Sequence, residues 1–470
     1  MNAKDARSVK PTSITPTLYA HQKQSVKFMK PRLEVFDMSD PGTGKTGCEI
    51  EDFAPRRRKG APPAIILATK SLLTSAWQED FNLFAPDMRV SVAWAENREE
   101  AFVVEADAYI TNHDGAKWLA KQNAKFWKRF EGGTYIIDES TAFKHHTSQR
   151  GKAAAKIRKH FEYARLMSGT PAPNGILDLW HQMLILDGGK RLGNSYYKFR
   201  NAACVPEQAG PMPNMIRWMD REGIEQTIAA LLKDITIRHR FEDCVDIPPN
   251  TIRRVGFKLS ARHMRLYKEM ENFQLLELKD KRITAVNGAA VYTKLLQIAS
   301  GAVYDQEHIA QLIDTDRYEL VLDLVEERPH SMVFFLWQHQ RDALVEHAKK
   351  RGLTFAVYDG SVSSTARTQT VKDFQAGALR VLFAHPQSAG HGLTLTKGTA
   401  TIWASPTHNL EHFLQGLKRI YRIGQTERTE TIVVCADDTW DNVVWEDKCL
   451  MKNARNDRLM DELKRMAHVR

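Results

Sequence analysis

The octapeptide SDPGTGKT (Ser39–Thr46) brings two glycines, a lysine and a hydroxyl together in the order a phosphate site needs. Gly42 and Gly44 let backbone N–H groups turn inward and approach phosphate oxygens with no Cβ in the way. Pro41 and Thr43 complete the loop, Lys45 can reach the β- and γ-phosphates, and the Thr46 hydroxyl can ligate Mg²⁺. A helix opening here adds the positive end of its dipole, and Pro55 is expected to end it. The strict pattern begins with Gly where this chain has Ser39. The competing reading is a glycine-rich strand-to-helix turn with no ligand.

A second cluster, GTYIIDES, ends an apolar run in Asp138-Glu139. Open α/β sheets bind ligands at that end of a strand. Asp138 would hold Mg²⁺, directly or through water, and Glu139 would polarise an attacking water. Alone, such a run is commonly a strand meeting solvent; an upstream phosphate loop gives it meaning. A third cluster, NLEHFLQGLKRIYRIGQT, predicts a helix over 409–426, capped by Asn409 and ended by Gly424. Arg419 and Arg422 would be neighbours on its surface. On spacing alone, a solvated basic helix end complementing the dipole is favoured over a pair reaching toward a γ-phosphate.

These residues need strands to carry them. Strands are predicted at 33–38, 64–69, 90–94, 108–112, 134–138 and 165–168, then at 331–337, 355–358, 380–384, 400–404 and 430–435. Amphipathic stretches lie between them, which means βαβ units and two parallel sheets. The Pro-Pro break in CVDIPPN separates the two sets. A first lobe is expected over 1–242, with an irregular excursion at 192–218. A linker is expected over 243–259, and a second lobe over 260–470, with a mostly helical region at 260–327 and a C-terminal helix from Trp440.

Composition limits the rest. The chain has 470 residues, 43% hydrophobic and 26% charged, which fits several globular domains. No apolar run is long enough to span a bilayer, and the polar N-terminus argues against a signal peptide, so a cytoplasmic location is expected. The five cysteines are scattered, and neither His145-His146 nor His408/His412 has a partner at metal spacing, so no zinc is expected. A net charge of +10 favours an anionic partner. No base-reading module is recognisable. For Trp77, Trp94 and Trp337, core packing is favoured over stacking on bases.

In this order the motifs resemble the superfamily 2 helicases, specifically the SWI/SNF-like ATPases, over nearly the whole chain. LYAHQKQSVKFM is similar to the family's adenine-reading segment, which implies that Gln22 contacts the base. DPGTGKT resembles motif I, AIILATKSLLTSAWQEDF motif Ia, and DESTAFK motif II. MSGTPAPNGILDLW (with Ser168, Gly169 and Thr170) resembles motif III, which links the ATP site to nucleic acid. SAGHGLTLT resembles motif V, and QGLKRIYRIGQ motif VI. The resemblance implies two RecA-like lobes with ATP and Mg²⁺ bound in a cleft between them, arginine fingers at Arg419 and Arg422, and Gly392 among the nucleotide contacts. It implies DNA as partner, duplex rather than single-stranded, touched near Lys70, Thr111, Asn112, Gln338, Ser388 and Gly390. Ser140-Thr141 stand where many relatives have Ala/Gly-His, and Tyr421 replaces the usual His. The compact layout most resembles helicases of bacteriophages and prophages, acting in the host cytoplasm. The expected activity is an ATP-driven DNA translocase or helicase. The alternatives are an ATP-controlled clamp that does not travel and a small-molecule NTPase.

Overall fold

The structure is a computed structural model that describes residues 17–70, 72–208, 216–273, 275–278, 281–284, 288–389 and 393–446. Two compact units emerge among the described residues: one holds residues 17–171 and Leu177–Arg240, the other Ala172–Ile176 and residues 241–446. Each is an α/β lobe built around one parallel sheet.

In the first lobe the strands are β1 (Glu34–Asp37), β2 (Ala64–Ala68), β3 (Val90–Ala93), β4 (Ala108–Asn112), β5 (Gly133–Ile137) and β6 (Phe161–Met167). A hairpin follows, β7 (Cys204–Gln208) with β8 (Ile216–Asp220), and then the short β9 (Thr236–Ile237). The parallel sheet runs in the order β3-β4-β2-β5-β6-β1-β9. Its strands are continuous apolar runs because helices cover both faces. On one face Ile66, Ile110 and Ile136 pack with Trp77, Phe81 and Phe53. The adjacency β5-β6-β1 matters most. In a parallel sheet it brings the chain segments after Asp37, Ile137 and Met167 out side by side at one end.

The second lobe opens with β10 (Asn250–Phe257) and two hairpins, β11 (Leu275–Leu278) with β12 (Lys281–Thr284) and β13 (Ala302–Tyr304) with β14 (Ala310–Leu312). Its sheet adds β15 (Ser331–Phe334), β16 (Phe355–Tyr358), β17 (Val381–Ala384), β18 (Ala400–Trp403) and β19 (Thr429–Ala436) in the order β10-β19-β18-β15-β17-β16. Side-chain alternation divides the core in two. Met332, Phe334 and Trp403 join Leu410, Phe413 and Leu417 on one face. Val333, Phe383 and Ile402 meet Tyr318, Leu322 and Leu344 on the other.

Several expectations need correction. Pro55 does not end its helix, which runs Lys45–Arg58. The loss of one helical bond is offset because Arg56, Arg57 and Arg58 are anchored by Asp52, Asp107 and Asp87. The segment 192–218 is not wholly irregular, since it holds a helix at Tyr196–Ala203 and one strand of the β7–β8 hairpin. The region 260–327 carries two hairpins beside its helices, and the segment read as a linker contains β10. The helix expected over 409–426 stops at Leu417. The chain turns there because tertiary bonds take its carbonyls: Leu395 N donates to Arg419 O, and Gln425 Nε2 donates to Thr396 O and Gly398 O as well as to Ile420 O. Arg419 and Arg422 therefore lie in a turn, not on one helix face. Of the expected C-terminal helix, Trp440–Val443 is helical and residues 447–470 lie outside the described ones.

One buried arginine ties the second lobe together. Arg317 donates to Asp441 Oδ2 at 2.5 Å, to Ser405 Oγ at 2.9 Å, and to the carbonyls of Ala404, Val434 and Ala299. Removing one partner of a buried pair leaves an uncompensated charge, which costs about 3–5 kcal/mol. Arg317→Met should therefore lower the unfolding temperature of the second lobe sharply, and adding Asp441→Leu should recover much of the loss. Calorimetry reads both; a single variant as stable as the parent contradicts the assignment.

Candidate nucleotide site

The loop leaving β1 is built by its own short contacts. Ser39 N donates to Asp37 Oδ1 at 2.8 Å, and Thr43 Oγ1 to Asp40 O at 2.8 Å. Gly42 and Gly44 have φ of 89° and 81°, left-handed values that suit glycine. A Cβ on Gly44 would also fall 2.1 Å from Gln22 Nε2. Lys45 folds back over the loop, its ammonium 2.7 Å from Ser39 O and 3.2 Å from Asp40 O. Thr46 follows in the first turn of the helix.

The chain after β9 braces this loop from the side. Asp40 N donates to His239 O, and His239 N to Ser39 Oγ, both at 3.0 Å. Arg238 pairs with Asp40 at 2.9 Å and donates to Met38 O. The Ser39 hydroxyl thus has a task that Gly could not perform. On the other side Thr43 O accepts from Gln22 Nε2 at 3.3 Å and lies 2.9 Å from His21 Nε2. Gln22 is buried against the loop.

Asp138 follows β5 directly and is held at four points. Its N–H donates to Leu67 O, and its carbonyl meets His113 Nε2 at 2.8 Å. Oδ1 accepts from Glu139 N at 2.9 Å and Oδ2 from Trp77 Nε1 at 3.0 Å. Burial first, and the adjacent Glu139 second, push the carboxyl up to about 6, while the Trp77 bond and nearby Lys45 pull it back. Glu139 has φ 48°, a left-handed value uncommon outside glycine.

Motif II and the segment after β6 are bonded to each other. Thr141 Oγ1 lies 2.6 Å from Ser168 Oγ and donates to Thr170 O at 2.9 Å, and Thr170 N donates to Ser168 Oγ. Ser140 Oγ donates to Gln182 Oε1, whose amide donates to Pro171 O at 2.7 Å. Ser168 N in turn donates to Asp37 O. Gly169 must be glycine, because a Cβ would sit 2.5 Å from Pro41 Cδ of the phosphate loop. Lys45, Thr46, Asp138, Glu139 and Ser168–Thr170 therefore gather at one end of one sheet.

The remaining expected residues fare differently. Lys70 and Gln338 are exposed, and Ser388 is half-buried. Thr111 is fully buried with its hydroxyl on Ala93 O, so it cannot touch a polymer directly. Asn112 Oδ1 accepts from Arg98. Ser168 and Thr170 are likewise buried. Gly390 and Gly392 lie outside the described residues. In the second lobe Arg419 Nε donates to Gln415 O at 2.7 Å and Arg422 Nη1 to Leu393 O at 2.5 Å. Sequence reasoning missed His21, His113, Arg238, His239 and the Trp77 indole as members of the site. Of these, Trp77 is read from the sequence as core packing.

Comparison with known proteins now has a geometry to meet. Residues 14–306 match the SNF2-related domain, and residues 316–424 the helicase conserved C-terminal domain. Protein p41 of Acyrthosiphon pisum secondary endosymbiont phage 1 is 29% identical over 90% of this chain and 94% of its own length. An ATP-dependent helicase of Mycoplasma genitalium is 23% identical over 94% of this chain, which spans only 42% of that protein. The Sulfolobus solfataricus SWI2/SNF2 ATPase core, solved with double-stranded DNA, is similar at a TM-score of 0.44 with 19% identity, covering 98% of this chain and 99% of that one. Among the described residues no helix is long and apolar enough to cross a membrane. With the first of these domains matched over more than half its length, the chain belongs to the SNF2-related family, ATP-hydrolysing enzymes of helicase superfamily 2.

Proposed function

We propose that the chain is a DNA-stimulated ATPase that moves along duplex DNA in the cytoplasm, hydrolysing Mg²⁺–ATP on the loop 39–46. The observation that supports this most is that Ser168–Thr170 join the other two parts at one sheet end, Gly169 packing on the phosphate loop and Ser168 and Thr170 bonding Thr141 beside the acidic pair. Loop N–H groups and the helix start receive the phosphates. Lys45, now resting on two carbonyls, exchanges them for phosphate oxygens. Gln22 reads the adenine. A carboxylate pushed up by burial first and by a neighbouring carboxylate second is a site that a cation would relieve, so the donors fit Mg²⁺, with Thr46 and Asp138 as its ligands. When bound, Mg²⁺ neutralises charge on the β- and γ-oxygens. Glu139 orients the attacking water, and Arg419 and Arg422 leave their carbonyls to stabilise the transferred group.

Hydrolysis alters the loop against which Gly169 packs, and Thr141 carries the change into Ser168–Thr170. Lys70 and Asn112 in the first lobe, with Gln338 and Ser388 in the second, hold DNA phosphates. Such contacts are salt-sensitive and indifferent to sequence. Thr111 supports this surface from beneath rather than touching it.

Lys45→Ala should abolish turnover, and Glu139→Gln should bind ATP tightly without hydrolysing it. Arg422→Ala should lower kcat by about 10³-fold or more with little change in ATP affinity. Steady-state kinetics beside equilibrium binding separate these outcomes; wild-type turnover by the Lys45 variant removes the assignment. Movement is read by displacement of a third strand placed far along a duplex. The protein should release it with ATP and leave it in place with a non-hydrolysable analogue. A protein that hydrolyses ATP on that duplex and never displaces the strand is not a translocase.

A further inference from the structure

Trp77 is 0% exposed, so it has no face on which to stack a base. Its indole N–H is a single donor in an apolar core and must be satisfied there. The acceptor it has is Asp138 Oδ2, at 3.0 Å, 61 residues away in sequence. The turn that carries it, Leu73–Gln78, is π-helical and gives way at Glu79 to an ordinary helix. Such widened turns are rare and recur at functional sites. The other three bonds to Asp138 come from a neighbouring strand, from the His113 ring and from the next residue. Among the described residues Trp77 is the one donor to the second carboxylate oxygen.

We propose that Trp77 is a positioning residue for the cation that accompanies the nucleotide: its N–H fixes the Asp138 carboxylate so that the remaining lone pairs face that cation. A carboxylate offers about four lone-pair sites, and Glu139 N–H and Trp77 occupy one on each oxygen. Without the indole bond, Oδ2 is free to rotate toward other donors, and the cation must order the carboxylate itself. This rests on reading the site as one for Mg²⁺–ATP.

The full-length protein is titrated calorimetrically with ATP, once with Mg²⁺ and once with EDTA, for wild type and Trp77→Phe. The wild type should bind ATP more tightly with Mg²⁺. In Trp77→Phe the affinity with Mg²⁺ should fall roughly 5–10-fold, the size of one ordinary net hydrogen bond, while the affinity with EDTA stays put. In an Asp138→Ala background, Trp77→Phe should have no further effect on the Mg²⁺/EDTA ratio. Replacement of Trp77 by 3-benzothienylalanine, which keeps the ring shape and deletes the donor, gives the same reading should the phenylalanine variant not fold. A wild-type ratio in the substituted proteins overturns the inference and makes Trp77 core packing only. A wild type indifferent to Mg²⁺ overturns the reading of the site instead.

Discussion

Two adjacent carboxyl groups, one of them buried at the end of an apolar strand, are the constraint around which the first lobe is arranged. Burial and mutual repulsion both work against the charge of Asp138. The fold answers with a bond to every polar group of that residue, drawn from a strand, a histidine, a tryptophan and the following peptide. Those donors are available only because β5 lies between β2 and β6 in a parallel sheet, with β1 and its phosphate loop next along. The same order puts Ser168 where it can bond both Asp37 and Thr141. Position in the sheet thus turns four separate sequence motifs into one site.

Hydroxyl groups do much of the remaining joining. Ser39 departs from the usual glycine, and its side chain receives the His239 N–H that braces the loop. Thr141, at the family's histidine position, contacts Ser168 and the Thr170 carbonyl directly. Both departures therefore come with contacts of their own. In the second lobe the work is done by arginines. Arg317 is buried as a structural tie to Asp441, whereas Arg419 holds the carbonyl of Gln415 in the preceding helix and Arg422 that of Leu393. These two roles are indistinguishable by residue type.

How much could be read beforehand follows from the same physics. The apolar strands announced themselves by length rather than period, because runs such as VFFLW and YIID are short and recur between longer amphipathic stretches. Spacing likewise exposed the phosphate loop and acidic pair. β10 did not show, since its residues Thr251–Arg254 are exposed at a sheet edge and carry no apolar pattern. The helix through Arg419 and Arg422 was overestimated because its stop is set by Gln425 and Leu395, tertiary partners that no local signal reports. The donors around Asp138 were missed for a related reason: Trp77 and His113 lie 61 and 25 residues from it.

The most direct test of the central claim is ATP hydrolysis by the purified protein, measured alone and with duplex DNA, single-stranded DNA or RNA at one fixed salt concentration. Strong stimulation by duplex DNA, falling as salt rises, is the predicted result. High hydrolysis unchanged by any of the three polymers contradicts the account.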